Sequence, residues 1–267
     1  MYEFTYQRVE AIAEAQAALA ADPQAKLLAG GMTLLPSMKH RLSAPTRLID
    51  IGKLPQLRGV RRDGDYLQIG AGMRHAEVAA DALVRSTLPA LAELAASIGD
   101  PQVRARGTLG GSIVNNDPAA DYPAAVLGLD AMVQTNLRDL PAADFFQGMF
   151  TTALASDEMV THVRFAIPKR AAYAKFRHPA SGYAMTGVLV ADYGGPVRVA
   201  VTGAGPGVFR WAQAEAALTR QFAATALAGL HYPADELNAD LHAPAAYRAQ
   251  LMRVLALQAV ARCLSPA

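Results

Sequence analysis

The spacing of apolar residues changes repeatedly along the 267-residue chain and divides it into three stretches. In the first, YEFTYQ alternates aromatic and polar residues as a strand does. VEAIAEAQAALAAD then carries apolar positions at helical spacing and stops at Asp22-Pro23. The short run KLLAGG reads as a strand entering a tight turn. MTLLPSMKHRL begins a helical turn with Thr33 at its N-cap, and TRLIDI is another buried strand. Residues 1–55 are predicted to form a compact β-α-β unit.

In the second stretch, 56–167, LRGVRRDGDYLQIGAG reads as two strands around an Asp63-Gly64 turn. HAEVAADALVRSTLPALAELAASIG has helical spacing interrupted at Pro89, AAVLGLDAMVQT is a helix running into a strand, and DEMVTHVRFAIP alternates as a strand. Past Pro168 the order changes. AAYAKFRH, YAMTGVLVADY and PVRVAVTGAG are three strands in succession, the last two joined by Gly194-Gly195, before the helical runs RWAQAEAALTR and APAAYRAQLMRVLALQAVARCL. Strands followed by helices predict a separate α+β domain over 168–267.

Composition supports packed domains: 52% of residues are hydrophobic and 18% charged, enough apolar material for a substantial core. A net charge of +2 gives no general nucleic-acid footprint. The single cysteine, Cys263, excludes an internal disulfide and a four-thiolate iron–sulfur cluster within the chain. MYEFTYQRVE lacks a signal pattern and no run reaches the roughly 18 apolar residues of a membrane span, so the expectation is a soluble, cytoplasmic protein.

Candidate chemistry concentrates in TLGGSIVNNDPAAD, residues 108–121. A metal loop would alternate its oxygen ligands, but Asn115, Asn116 and Asp117 are bunched and Pro118 breaks the alternation. The six histidines show no paired spacing for zinc. Two glycine turns, AGGMT at 29–33 and TLGGS at 108–112, allow backbone N–H groups to approach phosphate oxygens, with Thr33, Thr108 and Ser112 as added hydroxyl donors. Neither carries the Lys-Ser/Thr ending of a nucleotide-hydrolase loop nor a GxGxxG. From the residues alone, a phosphate cradle and a plain structural turn both stay open.

Taken together, KLLAGGMTLLPSMKHRL, IGDPQVRARGTLGGSIVNNDPAADYPAAVLGLDA and RVAVTGAG resemble the FAD-binding medium subunit of molybdenum hydroxylases, the family of xanthine dehydrogenase and aerobic carbon monoxide dehydrogenase. YAKFRHPASGYAMTGVLVA looks most like the carbon monoxide dehydrogenase type. The resemblance implies an α+β protein. Two subdomains of a vanillyl-alcohol-oxidase-like FAD fold, 1–55 and 56–167, would precede a C-terminal domain of antiparallel sheet plus helices, 168–267.

It also implies that the two turns close on the FAD pyrophosphate. One side is Lys26, Leu28, Ala29, Gly30, Gly31, Met32, Thr33 and Leu34; the other is Thr108, Leu109, Gly110, Gly111 and Ser112. Asp121 matches an acid that bonds the flavin nucleotide and is expected to meet a neutral donor there, while Asp117 reads as a turn residue. Val160 is a further contact. Ile98 stands where some relatives place an aromatic over the flavin, leaving apolar contact only. Tyr183 is the candidate aromatic cover, and Arg177 matches a cation near the flavin or its acceptor side. A packed Tyr and a surface Arg remain open for these two. Gly182 departs from the family, where Arg is common.

By resemblance, the chain is an electron-transfer subunit. Its partners would be a large molybdopterin-containing subunit and a small iron–sulfur subunit in a dimer of heterotrimers, with a quinone, NAD⁺ or another compound as acceptor. The absence of an acid–base constellation fits that role. A self-sufficient FAD oxidase or reductase of the same fold, and a flavin-free interaction module, are the alternatives.

Overall fold

The computed structural model describes residues 1–265. The first unit comprises β1 (Thr5–Arg8), α1 (Ile12–Ala21), β2 (Lys26–Leu28), α2 (Leu34–Lys39) and β3 (Arg47–Asp50). Its three strands are parallel, with β3 between β1 and β2. Ala15 and Leu19 of α1 pack with Val9, Ile49 and Leu57 in a small core that also takes Met159 from the second unit. Thr33 occupies the N-cap of α2 but its side chain makes no cap bond.

The second unit begins with β4 (Val60–Asp63) and β5 (Tyr66–Gly70) around the expected Asp63-Gly64 turn. The helical stretch expected over 75–99, with an interruption at Pro89, is cut twice, into α3 (His75–Ala80), α4 (Ala82–Thr87) and α5 (Pro89–Ala96). Pro89 makes the expected break. The extra one comes from Asp81, whose carboxylate accepts from the Leu83 and Val84 amides at 2.9 and 3.0 Å and so restarts the helix. Then follow α6 (Pro101–Arg106), α7 (Leu109–Asn115), α8 (Tyr122–Gly128), β6 (Met132–Thr135), β7 (Asp139–Pro141), α9 (Ala142–Phe145), the hairpin β8 (Phe146–Gly148) and β9 (Thr151–Thr152), and β10 (Val160–Ala166). The main sheet runs β4-β5-β10-β6-β7, all antiparallel.

The third unit is a four-stranded antiparallel sheet of β11 (Arg170–Arg177), β12 (Ala184–Asp192), β13 (Val197–Thr202) and β14 (Phe209–Arg210), with α10 (Ala212–Arg220) and α11 (Ala245–Leu264). Its two faces feed different cores, as the period of two in a strand requires. Ala172, Ala174, Val188 and Val190 pack with Leu255 and Ala259 of α11. Tyr173, Leu189 and Ala191 join the core of the second unit beneath α8. A Cβ on Gly128 of α8 would come within 2.6 Å of the Leu189 side chain, so helix and sheet are in close contact there.

Candidate functional site

A cleft of about 750 Å³ opens where the first two units meet, with the third unit contributing Ser181, Gly182 and Tyr183 to its wall. The loop from β2 into α2 forms one side. Gly31 takes a left-handed φ of +72°, and a Cβ on Gly30 would fall 2.1 Å from the Arg106 carbonyl oxygen. The N–H groups of Gly30, Gly31, Met32 and Thr33 find no acceptor among the described residues, and all four residues line the cleft. Consecutive free amides of this kind form an anion-binding concavity.

The opposite side is α7. The second glycine pair lies in its first helical turn, so the expectation of a simple glycine turn is corrected: Thr108 is the N-cap and its Oγ1 accepts from the Gly111 amide at 3.1 Å. The Gly110 amide donates to the Ala71 carbonyl at 2.8 Å and the Ser112 amide to the Thr108 carbonyl at 3.0 Å. A Cβ on Gly110 would meet Ala71 at 2.7 Å, whereas one on Gly111 would meet only the Thr108 hydroxyl. Side-chain charge in the cleft is weighted to cations. Lys26, Lys53, Arg74 and Arg106 line it without an ion pair among the described residues, while Asp50 is engaged by Arg8.

Asp121 lies at the buried end. Its Oδ1 accepts from the Tyr173 hydroxyl at 2.7 Å, and the Lys175 ammonium reaches its two oxygens at 2.9 and 3.0 Å. The contacts of Asp121 within the chain are thus a neutral hydroxyl and a cation, and the cation compensates a carboxylate that is almost wholly buried. Burial pushes the Asp121 carboxyl up and the Lys175 ammonium down, each opposed by the charge of the other. Removing one partner of such a pair leaves an uncompensated buried charge, worth about 3–5 kcal/mol.

Sixteen of the residues expected at the site line this one cleft: Lys26, Leu28, Ala29, Gly30, Gly31, Met32, Thr33, Leu34, Ile98, Thr108, Gly110, Gly111, Ser112, Asp121, Val160 and Tyr183. Two do not. Leu109 points into the core under α7 and is fully buried, and the Arg177 guanidinium is turned to the carbonyls of Ser97 and Gly99, the latter at 3.4 Å. Asp117 is a turn residue, accepting from the Ala119 amide at 2.9 Å. Asn116 ends α7 with a φ of +44° and its side-chain amide donates to the carbonyls of Gly148 and Thr151 at 2.7 and 2.8 Å, fixing the β8–β9 hairpin.

Sequence reasoning missed His75, Tyr173 and Lys175. Tyr173 and Lys175 share a face of β11 opposite an alanine face, a period-two signal in AAYAKFRH that points both at one partner. His75 carried no such signal. It lines the cleft, packs on Tyr122 at 5.3 Å, and its Nδ1 has no partner among the described residues. Burial, aided by Arg104, pushes its imidazole down to about 4, so it is neutral near pH 7.

The free amides, the unpaired cations and the bare Gly111 surface fit a dinucleotide with a pyrophosphate. Among the described residues no group of three or more His, Cys, Asp or Glu side chains is placed to hold a metal, and no helix is long and apolar enough to cross a membrane. A cleft of this design fits a phosphate-bearing cofactor, and comparison with known proteins makes the class specific.

Residues 2–169 match the family described as the FAD binding domain in molybdopterin dehydrogenase, and the chain belongs to that family. It is 35% identical to the carbon monoxide dehydrogenase medium chain of Hydrogenophaga pseudoflava, covering 97% of this chain and 98% of that one. It is also 35% identical to the nicotine 6-hydroxylase medium subunit of Paenarthrobacter nicotinovorans, over 89% of each. Among solved structures, carbon monoxide dehydrogenase from Hydrogenophaga pseudoflava superposes with a TM-score of 0.87 at 34% identity, covering 98% of this chain and 97% of that one. Quinoline 2-oxidoreductase from Pseudomonas putida 86 gives 0.88 at 25% identity, with the same coverage. The chain is thus an FAD-binding flavoprotein subunit of the molybdenum hydroxylase type, an oxidoreductase component.

Proposed function

We propose that this chain holds FAD in the cleft between its first two units and passes electrons from iron–sulfur clusters on a small partner subunit to an external acceptor. Substrate is oxidised at a molybdenum centre on a large partner. The observation that carries the reading is the run of free amides at Gly30–Thr33, facing a cleft with four unpaired cations, in a chain of an FAD-binding family. Two relatives at the same identity are named for carbon monoxide dehydrogenation and nicotine hydroxylation, which supports placing substrate choice on a partner subunit. The names "medium chain" and "medium subunit" support larger and smaller partners, which we arrange as a dimer of heterotrimers. We divide the chain into 1–55, 56–167 and 168–267; the family match ending at residue 169 supports the last of these boundaries.

When bound, FAD supplies reversible uptake of electrons, chemistry that side chains lack. The chain's own residues hold and orient it. The amides of Gly30–Thr33 donate to the pyrophosphate, with Lys26, Lys53, Arg74 and Arg106 neutralising its charge. Gly111 leaves room for close approach, Ile98 and Val160 give apolar contact, and Tyr183 covers the flavin ring. Asp121, fixed by Tyr173 and Lys175, accepts from a donor on the nucleotide. His75, neutral, brings no charge to the cleft.

The test is purification with and without the neighbouring gene products. We expect about one FAD per chain, co-purification with a molybdenum-containing subunit, and flavin reduction only when that subunit is present. Rapid reduction by a small substrate acting on the isolated chain would replace this reading with that of a self-sufficient oxidase.

A further inference from the structure

The short segment Ser97–Ile98–Gly99, which joins α5 to α6, puts Ile98 and Gly99 into the wall of the cleft. Its three carbonyl oxygens lie at the negative end of α5, and among the described residues they accept from charged side chains only. From α6, Nη1 of Arg104 donates to the Ile98 carbonyl at 2.8 Å and to the Gly99 carbonyl at 3.1 Å. From β11, the Lys175 ammonium donates to the Ser97 carbonyl at 3.1 Å, and Arg177 reaches the carbonyls of Ser97 and Gly99. The segment is also enclosed. Gly99 takes a left-handed φ of +49°, a Cβ on it would fall 3.0 Å from the Val103 side chain, and a Cβ on Gly182 would lie 3.6 Å from its Cα. Ile98 is therefore fixed by donors on one side and packing on two others.

The three cations differ in what neutralises them. Lys175 is paired with Asp121. Arg104, half-buried, forms no ion pair among the described residues; the one acid on its helix, Asp100, is spent capping α6 by accepting from the Val103 amide at 2.8 Å. Carbonyl oxygens orient a guanidinium without cancelling its charge. Arg104 does not itself line the cleft, yet its charge reaches inside, where it adds to burial in keeping His75 neutral.

We propose that Arg104 is a positioning residue for electron transfer: it holds Ile98 against the flavin and, as an unneutralised cation fixed behind that wall, favours the reduced cofactor over the oxidised one. The proposal rests on the FAD-site reading above. Two electrons taken up with one proton leave the reduced flavin with a negative charge that the oxidised ring lacks. A fixed cation screened from water by protein lowers the energy of the charged state selectively. The electrons come from the partner's clusters and leave to the acceptor as before; Arg104 gains and loses nothing.

The test uses the complete FAD-loaded complex and reads the flavin potential by anaerobic spectroelectrochemical titration, with FAD content and melting midpoint measured alongside. Arg104→Gln should lower the equilibrium constant for two-electron reduction at least about tenfold, a shift of about 30 mV to more negative potential. Arg104→Lys, which loses the planar fork but keeps the charge, should shift the potential less than half as far. A role in folding alone would move the melting midpoint of both variants and the potential of neither. An FAD-replete Arg104→Gln complex with the parent potential would overturn the proposal, as would equal shifts in the two variants. Loss of FAD from both would make Arg104 part of the binding framework and overturn it too. A parent complex that carries no FAD would instead break the reading on which the proposal rests.

Discussion

The two glycine pairs look alike in sequence and differ in what they give the cleft. In AGGMT, both glycines are required by the chain itself. Gly30 lies against the Arg106 carbonyl, so it docks the first unit onto the second, and Gly31 holds a left-handed φ. With neither in regular structure, the amides from Gly30 to Thr33 stay free. In TLGGS, the helix and Ala71 consume the amides, and only Gly110 is needed for packing. Gly111 is the one glycine of the four whose Cβ would meet neither backbone nor an apolar side chain, only the Thr108 hydroxyl, and whose φ is not left-handed. The first turn supplies donors and the second supplies space. A repeated glycine pair thus marks two different physical tasks.

Substitutions can break that contrast. Gly30→Ala should have the largest effect on stability, about 3 kcal/mol or more, because backbone must move to admit the Cβ; the midpoint of urea unfolding measures it. His75, whose backbone amide donates to the Gly107 carbonyl at 2.9 Å just before the second turn, makes stability pH-dependent. Its folded-state value is about 4 against an ordinary 6.5. Above that ordinary value the imidazole is neutral in both states and costs nothing. As pH falls from 6.5 towards 4, the unfolded chain binds a proton that the folded chain does not, and about 3 kcal/mol is lost. His75→Gln should flatten the stability profile across that window, and an unchanged profile would assign the loss elsewhere. Gly31→Ala should cost less, about 1–2 kcal/mol, for the left-handed conformation and contact with Leu35.

Much of this was readable in the sequence because local signals and tertiary structure agree. The three successive strands expected past Pro168 form in that order, and the Asp63-Gly64 and Gly194-Gly195 turns fall between paired strands. Family resemblance, not spacing, brought sixteen cleft residues together in advance. What escaped depended on partners distant in sequence. The cut at Asp81 needed a capping geometry hidden inside an uninterrupted apolar period. The partners of Asp121 lie more than fifty positions away. Arg177 had the right charge for a flavin contact, yet backbone carbonyls near α5 hold it elsewhere. The asparagines are resolved only by three-dimensional contact: Asn116 ties down the β8–β9 hairpin, and Asn115 lines the cleft.

The central claim is that the cleft between the two turns holds FAD, with Gly111 giving the cofactor room and not serving the fold. Flavin stoichiometry of purified Gly111→Val, measured with its thermal midpoint, tests it most directly. The account predicts a folded variant destabilised by no more than about 2 kcal/mol, the cost of disturbing the Thr108 cap, that retains no FAD. Full FAD occupancy in that variant would contradict it, and would make the second turn a purely structural element.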